Sequence, residues 1–505
     1  MSYIFLIPEI IVITASFLIL LLDLFLPKNK RGSTLKWFTL KGYLAPFSIL
    51  CLVLAFLLSR QLLDAPRCYI GAGILSLDPS AVFFKLLLLA CAFFIVLMSV
   101  DYFKKSEYQS EYYVLLFLSL CGCMLVTSAN NLIAIYLGLE LASIPTYILA
   151  AFWKKDPKSS EAAIKYFLLG VLASVVMLYG FSLLYGLTGS TNLGEIVTRL
   201  EKIISSSGYQ PYLLSLVMIL AVFGLGIKIS AVPFHFRLPD AYEGAPTPVT
   251  AYLSIAPKIA GFAIILRIFF TVFSSLRIQW TTLFLLLSVA SMSVGNLMAL
   301  TQENIKRMLA YSSIAHTGYI LVGFAVAKYF SLSSVLLYFT VYMLANLGAF
   351  AVVIFNSSQG KGDLIKDYAG LNQKAPLVAL AMSIFLFSLA GIPPLGGFIG
   401  KLYLFSSALR GGYAWLAVVG ILNSVISLYY YLGVVRQMYL SEPIETTPAE
   451  TFFSLNPSSS EGADEAPRLS FRPIFLAIFL LLLAVIAVGV YPSPLIELAE
   501  RVIPQ

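Results

Sequence analysis

Apolar runs of membrane-crossing length follow one another along this chain almost without pause, and that leaves few ways for it to fold. Ile10 to Leu26, Leu213 to Ile227, Thr282 to Leu300 and Pro473 to Val490 are examples. Each comes close to the roughly 20 residues that carry a helix across the hydrocarbon core. Only 11% of the 505 residues are charged and 59% are hydrophobic, whereas a soluble domain carries roughly 25% charged residues. Lipid must therefore solvate most of the surface. Within lipid every backbone polar group needs an internal partner, and runs of this length supply it as helices rather than as barrel strands. The first run starts almost at Met1, lacks a basic leader and a small-residue cleavage pattern, and ends in LLLDLFLPKNKR. It reads as a retained helix and not as a signal peptide.

The expected fold is an all-α polytopic membrane protein of about 14 transmembrane helices, the first core starting at Tyr3 and the last at Phe471. Alternate loops differ in charge. Nineteen lysines and arginines, Lys28, Lys104, Lys154, Arg237, Lys306 and Arg436 among them, fall in one set of loops, and nine fall in the other. The positive-inside rule makes the richer set cytoplasmic and puts both termini outside. Leu193 to Ser207 alternates apolar and charged residues (IVTRLEKII) and reads as a short helix on the outer surface. Ser441 to Leu469 is acidic and rich in Ser, Pro and Glu, too polar to pack, and reads as a mobile cytoplasmic connection.

Two helices are interrupted, one by KISAVPFHFRLPDAYEGAPTP at Lys228 to Pro248 and the other by GIPPLGGF at Gly391 to Phe398. Paired broken helices point to a transporter core built from repeats. Two five-helix units accommodate the breaks, and an odd helix number inverts one unit relative to the other. The echo of IPTYIL at Ile144 to Leu149 in AHTGYIL at Ala315 to Leu321 agrees with this. The expected division is 1–111 as an N-terminal three-helix segment, 112–270 and 271–440 as the repeats, 441–470 as the mobile loop and 471–505 as a last transmembrane helix.

Several function classes fit poorly. The cysteines Cys51, Cys68, Cys91, Cys121 and Cys123 show no CxxC spacing and read as packing residues. With His235 and His316 the only histidines, no metal site is expected, and haem or an iron-sulfur cluster has almost no ligands to use. The formal charge of +8 is scattered over short loops without a patch, so nucleic acid is not an expected partner; the lipid bilayer is.

The chemistry lies in charges that the apolar runs should not tolerate. A charge at mid-membrane costs roughly 2.5 to 3.5 kcal/mol on insertion scales, so it persists only when paired, hydrated or useful. Glu140 stands in IYLGLELASIPTY, Lys165 in AAIKYFLLG, Lys228 in VFGLGIKISAVP, Lys258 in YLSIAPKIAGF and Lys401 in GGFIGKLYLF. Lys85, Glu9 and Asp23 fall nearer helix ends and read as interfacial anchors. One carboxylate cannot neutralise four ammonium groups, so fixed salt bridges do not account for the set. Burial disfavours a charged lysine while a nearby carboxylate favours it. At about 4 Å and an effective dielectric near 20 that attraction is worth about 4 kcal/mol, so moving Glu140 changes a lysine's proton occupancy by orders of magnitude. Pro233, Pro246, Pro393 and Pro394 interrupt backbone hydrogen bonding next to these lysines, which is tolerated only where protein or water satisfies the freed groups. His316 in YSSIAHTGYI, flanked by Ser312, Ser313, Thr317 and Tyr319, is a candidate central relay element. His235, Asp240 and Glu243 read as residues that shape the connector.

The strings LIPEIIVITASFLILLLDLFLP, NNLIAIYLGLELASIPTYILAAF, KISAVPFHFRLPDAYEGAPTPVTAYLS, NIKRMLAYSSIAHTGYILVG and LAGIPPLGGFIGKLYLF resemble the antiporter-like membrane subunits of respiratory NADH-quinone oxidoreductase, complex I. The likeness covers nearly the whole chain, and HxxxPDAYEGAPTPVTA is specific to that superfamily. It is most similar to the subunit N type, which has mitochondrial (subunit 2) and plastid counterparts. Lysine at 401 speaks against subunit M, lysine at 258 speaks against both L and M, and the end at Gln505 leaves no room for the long lateral helix of subunit L.

The resemblance implies a 14-helix fold with two inverted five-helix repeats, each with a broken helix. It implies proton uptake from the cytoplasm near Lys258, a Lys228 controlled by Glu140, release through Lys401, and Lys165 as the sixth-helix member of the set. It also implies coupling to quinone reduction elsewhere. No cofactor is expected in this chain; flavin and iron-sulfur clusters are expected in partner subunits, and other antiporter-like subunits among its membrane-arm neighbours. The implied location is the bacterial inner membrane, an organellar membrane fitting less well. Two other readings stand beside this one: a subunit of a multi-chain sodium/proton antiporter, and a structural membrane subunit whose buried ions only fix packing.

Overall fold

The computed structural model describes residues 2–25, 41–104, 106–205, 211–326, 329–360, 362–443 and 473–502. Nearly all of the expected mobile connection lies outside them. Helices α1 (Ile7–Phe25), α2 (Lys41–Gln61) and α3 (Pro79–Phe103) form the N-terminal segment. Then come α4 (Gln109–Ser128), α5 (Leu132–Ala150), α6 (Pro157–Thr188), the amphipathic α7 (Leu193–Ser205), α8 (Pro211–Ile229), the short α9 (Arg237–Gly244) and α10 (Thr247–Arg267). The second half holds α11 (Arg277–Ala299), α12 (Ile305–Val326), α13 (Tyr329–Ser358), the single turn α14 (Leu371–Lys374), α15 (Pro376–Ala390), α16 (Gly396–Arg410) and α17 (Ala414–Leu440). Last are α18 (Pro473–Val490) and α19 (Ser493–Val502).

Thirteen helices among the described residues are long and apolar enough to cross a membrane. The broken pair α15 and α16 supplies the remaining crossing of the expected 14. One departure from an all-helical chain is a small antiparallel hairpin, β1 (Cys68–Ile70) with β2 (Leu75–Leu77). Its turn runs through Gly71, Ala72 and Gly73, all with positive φ, where glycine removes the steric cost of a left-handed backbone.

Local chemistry sets the boundaries. Asp78 caps α3 by accepting from the Ala81 amide, Asn131 caps α5 through Ile133, and Asp156 caps α6 through Lys158. Pro79, Pro157 and Pro376 occupy first turns, where a missing amide hydrogen costs nothing. Both interruptions appear where the sequence put them. α8 stops at Ile229, Ser230 takes φ 58°, and Pro233 precedes α9. α15 ends in a left-handed Gly391, with Pro393 and Pro394 before α16. Pro246 instead separates α9 from α10.

Two tight pairs echo each other across the halves. Gly122 of α4 lies against the backbone of Leu141 and Ala142 in α5; Gly295 of α11 lies in the same way against Tyr311 and Ala315 in α12. The register shift that carries Gly122 onto Gly295 also carries Ala142 onto Ala315, so the two helix pairs are the same unit used twice. That shift places Ser313 where the first unit has Glu140, and Tyr338 where it has Lys165. α12 and α13 are enclosed along almost their full length, so the second unit supplies the polar interior.

Candidate functional site

In the first half, Lys228 at the end of α8 is buried, 6% exposed, and meets Glu140 of α5 with Nζ 3.8 Å from Oε1. Neither partner depends on the other alone. Lys228 Nζ donates to Ser143 Oγ at 2.9 Å, and the Ser174 hydroxyl of α6 donates to Glu140. An ion pair in which each member also holds a neutral hydroxyl can loosen without stranding a buried charge, and stranding is the costly event.

In the second half, Lys258 of α10 donates to the Ser313 carbonyl at 2.6 Å, to Ser313 Oγ at 2.5 Å and to Thr317 Oγ1 at 2.9 Å. Ser313 Oγ is hydrogen-bonded in turn to Tyr342 of α13 at 2.7 Å. His316, one helical turn on, is fully enclosed: Nδ1 meets Tyr338 Oη at 2.6 Å, Nε2 meets Tyr431 Oη at 3.4 Å, and the ring stacks on Tyr342 at 4.7 Å. Lys401 of α16 donates to the Ala390 carbonyl and to Ser424 Oγ, both at 2.7 Å, with its ammonium 4.8 Å from the centre of the Tyr319 ring. Tyr319 lies edge-on to His316 at 5.7 Å. The order Lys258, His316, Lys401 is thus bridged by hydroxyls and aromatic rings. Among the described residues neither Lys258 nor Lys401 has a carboxylate within ion-pair distance.

Two placements within the chain differ from the reading of the sequence. Lys165 does not join the buried set; its side chain is 46% exposed on α6 and pairs with Glu161 at 2.7 Å and Asp240 at 2.9 Å. It faces outward because α6 turns Ala162, Ala163 and Tyr166 inward, and Lys165 lies off that stripe. Lys85 and Glu9, read as interfacial anchors, are 1% and 3% exposed and form an ion pair at 2.5 Å between α3 and α1. Asp23 stays near its helix end, accepting from Ser110 at 2.8 Å.

The connector residues Asp240 and Glu243 do more than shape a loop. Arg307 of α12 bridges both at 2.8 Å, and Asp240 also receives Lys165. Burial alone would push the Asp240 carboxyl up, but hydrogen bonds from Lys165 and Arg307, reinforced by their charges, hold it below the usual carboxylate range. Beside this lattice lies an open polar cleft between the two halves, lined by Glu243, Gln302, Glu303, Lys306 and Asp363.

Sequence reasoning missed Ser143, Ser174, Tyr338, Tyr342, Ser424 and Tyr431. The one available signal was the spacing of Tyr338 and Tyr342, four apart on one face of α13.

The family described as NADH:quinone oxidoreductase/Mrp antiporter, transmembrane, matches residues 129–427. The NADH-quinone oxidoreductase subunit N of Trichlorobacter lovleyi is 40% identical over 498 residues, spanning 98% of this chain and 96% of that one. A chain in the structure of respiratory complex I from Thermus thermophilus with bound aureothin superposes with a TM-score of 0.74 at 30% identity, over 98% of this chain and 99% of that one. A chain of the Mrp complex from a Dietzia species gives a TM-score of 0.81 at 22% identity, covering 99% and 96%, a likeness of fold.

Proposed function

The chain belongs to the NADH:quinone oxidoreductase/Mrp antiporter family and within it to the subunit N type, a proton-translocating membrane subunit of NADH-quinone oxidoreductase, and from that premise we propose the path its protons take. A proton is taken up through the polar cleft beside Lys306 and reaches Lys258. It exchanges with Lys228 under the control of Glu140, passes His316 and its tyrosines, and leaves through Lys401. The repeats run over 112–270 and 271–440, and both termini lie on the outer side of a bacterial inner membrane. Other antiporter-like subunits flank the chain, and flavin and iron-sulfur clusters stay in partner subunits. Lys165 acts in the ion lattice that holds α9, outside the path.

The observation that carries this reading is the Lys228–Glu140 pair, 3.8 Å apart with a separate hydroxyl for each member. In one state the carboxylate approaches and Lys228 keeps its proton. In the other, Glu140 swings away from Lys228, an attraction worth about 4 kcal/mol in contact at an effective dielectric near 20 shrinks, and the proton is released. Quinone reduction elsewhere in the complex needs only to bias that choice.

Lys228→Ala and Glu140→Ala are expected to leave the complex assembled and to lower proton pumping together with the coupled quinone reduction. Assembly is followed on native gels and pumping in reconstituted vesicles. An assembled Lys228→Ala variant pumping at the normal rate would remove Lys228 from the path and favour a purely structural role for the buried ions. Sodium-dependent transport by a preparation without flavin and iron-sulfur partners would instead support the antiporter reading.

A further inference from the structure

Arg237 is a buried charge that the relay leaves unexplained. It looks like a loop cation in the sequence, yet it is 3% exposed, and no ion pair among the described residues includes it. An unpaired guanidinium inside a membrane domain is costly and survives only if other groups compensate it. Here the compensation is specific. Nη2 donates to the Ile227 carbonyl at 2.9 Å and to the Lys228 carbonyl at 3.4 Å, and the guanidinium lies over the Tyr166 ring at 4.9 Å.

Those carbonyls belong to the last turn of α8, whose ordinary i+4 amides turn elsewhere at the break: the Ala231 amide goes to the Gly226 carbonyl and the Val232 amide to Ser291 Oγ, while the Ile227 carbonyl keeps the Ser230 amide at 3.1 Å. They also form the negative end of the helix dipole, where a cation is favoured. Arg237 and Lys228 line one small cavity with Ser143, Thr146 and Tyr166, with room for about one water molecule. Arg237 Nε, buried, has no hydrogen-bond partner.

We propose that Arg237 is a positioning residue for Lys228, a side-chain cap that donates to the last two carbonyls of α8 in place of the i+4 amides the break diverts. With the last turn held, the Lys228 Cα is fixed and only its side chain swings between Ser143 and Glu140. Without the cap the turn frays, and the ammonium spends less time at the distances proton exchange requires. The inference rests on the reading that Lys228 carries the proton.

The test uses the whole complex in vesicles carrying Arg237→Leu, Arg237→Gln or Arg237→Lys, with Lys228→Ala as the reference. Loss of a charge-assisted hydrogen bond of this kind predicts pumping about tenfold lower in Arg237→Leu. Arg237→Lys, whose ammonium can still donate to the carbonyls but loses the planar stack on Tyr166, should pump about threefold faster than Arg237→Leu and stay below the parent. An assembled Arg237→Leu complex that pumps at the parental rate overturns the proposal, as does Arg237→Lys performing no better than Arg237→Leu. Should Arg237→Leu fail to assemble, Arg237→Gln against Arg237→Lys makes the same comparison, a lower rate for Gln supporting the cap and parental rates for both overturning it. Normal pumping by Lys228→Ala would sink the underlying path. A dead Lys228→Ala beside unaffected Arg237 variants would sink the cap alone.

Discussion

Glu9 and Lys85 illustrate how far a single residue can be read. Each stands near a helix end, where a long side chain ordinarily reaches the headgroups, and linear position favours that. Which neighbours enclose a side chain depends on helices distant in sequence, and here they close over both groups. Neither Glu9 oxygen has a hydrogen-bond donor besides the Lys85 ammonium among the described residues. Removing one partner leaves a bare buried charge, a loss of about 3 to 5 kcal/mol, whereas replacing both with apolar groups of similar size is close to neutral. Lys85→Met is therefore expected to lower the thermal stability of the solubilised complex sharply, and Glu9→Leu with Lys85→Met to restore most of it. A double variant as unstable as the single one would show that the pair is needed for more than mutual neutralisation. Glu140, Lys228, Lys258, His316 and Lys401 were legible because a charge or imidazole in an apolar run is conspicuous. Their hydroxyl partners were not, because serines and tyrosines in membrane helices are common and the partners come from other helices.

At the scale of elements, the informative piece is α9, eight residues between the break and α10. Too short to hold itself, it is tied to α6 by Lys165–Asp240 and Lys158–Glu243 and to α12 by Arg307. A carboxylate held below its ordinary value of 3.8 contributes its full stabilisation above that value and loses it as pH falls through the lower folded value. Anchoring by Asp240 is thus complete at neutral pH, begins to weaken only once pH drops past the ordinary carboxylate value, and is lost through the lower folded one. Protection factors of the amides across Arg237–Gly244, which correct for the slower intrinsic exchange in acid, should fall on acidification into that range, and in Asp240→Asn they should already be low at neutral pH. Equal protection in both proteins at pH 7 would mean that packing, not the lattice, holds α9. The proline and glycine runs announced both breaks, since no other residues remove a donor or permit a left-handed turn so readily. The lattice was hidden because its members lie on three elements, and the outward face of α6 follows from packing rather than from hydropathy.

For the whole molecule, the repeated helix pair ties architecture to relay. A Cβ built on Gly122 would lie 2.7 Å from the Leu141 carbonyl carbon, and one on Gly295 would lie 2.6 Å from the Ala315 nitrogen. Both contacts are with backbone, which cannot rotate aside, so alanine at either site must push two helices apart at a cost of about 1 to 3 kcal/mol. The helices displaced carry the chemistry: α5 bears Glu140 and Ser143, and α12 bears Ser313 and His316. In the first unit the displaced position holds a carboxylate opposite Lys228; in the second the equivalent position holds Ser313, which receives Lys258. One geometry thus holds two kinds of contact, an ion pair in the first unit and a lysine–hydroxyl contact in the second. Gly122→Ala should loosen the Lys228–Glu140 contact, and Gly295→Ala should draw Ser313 and Thr317 away from Lys258, so both variants, compared at equal assembly on native gels, are expected to pump more slowly than the parent. Substituting Gly186, around which an added Cβ meets nothing within 4 Å, is expected to leave the rate unchanged. If Gly122→Ala and Gly295→Ala assemble and pump like the Gly186→Ala control, the shared close approach is an architectural inheritance without a part in proton transfer.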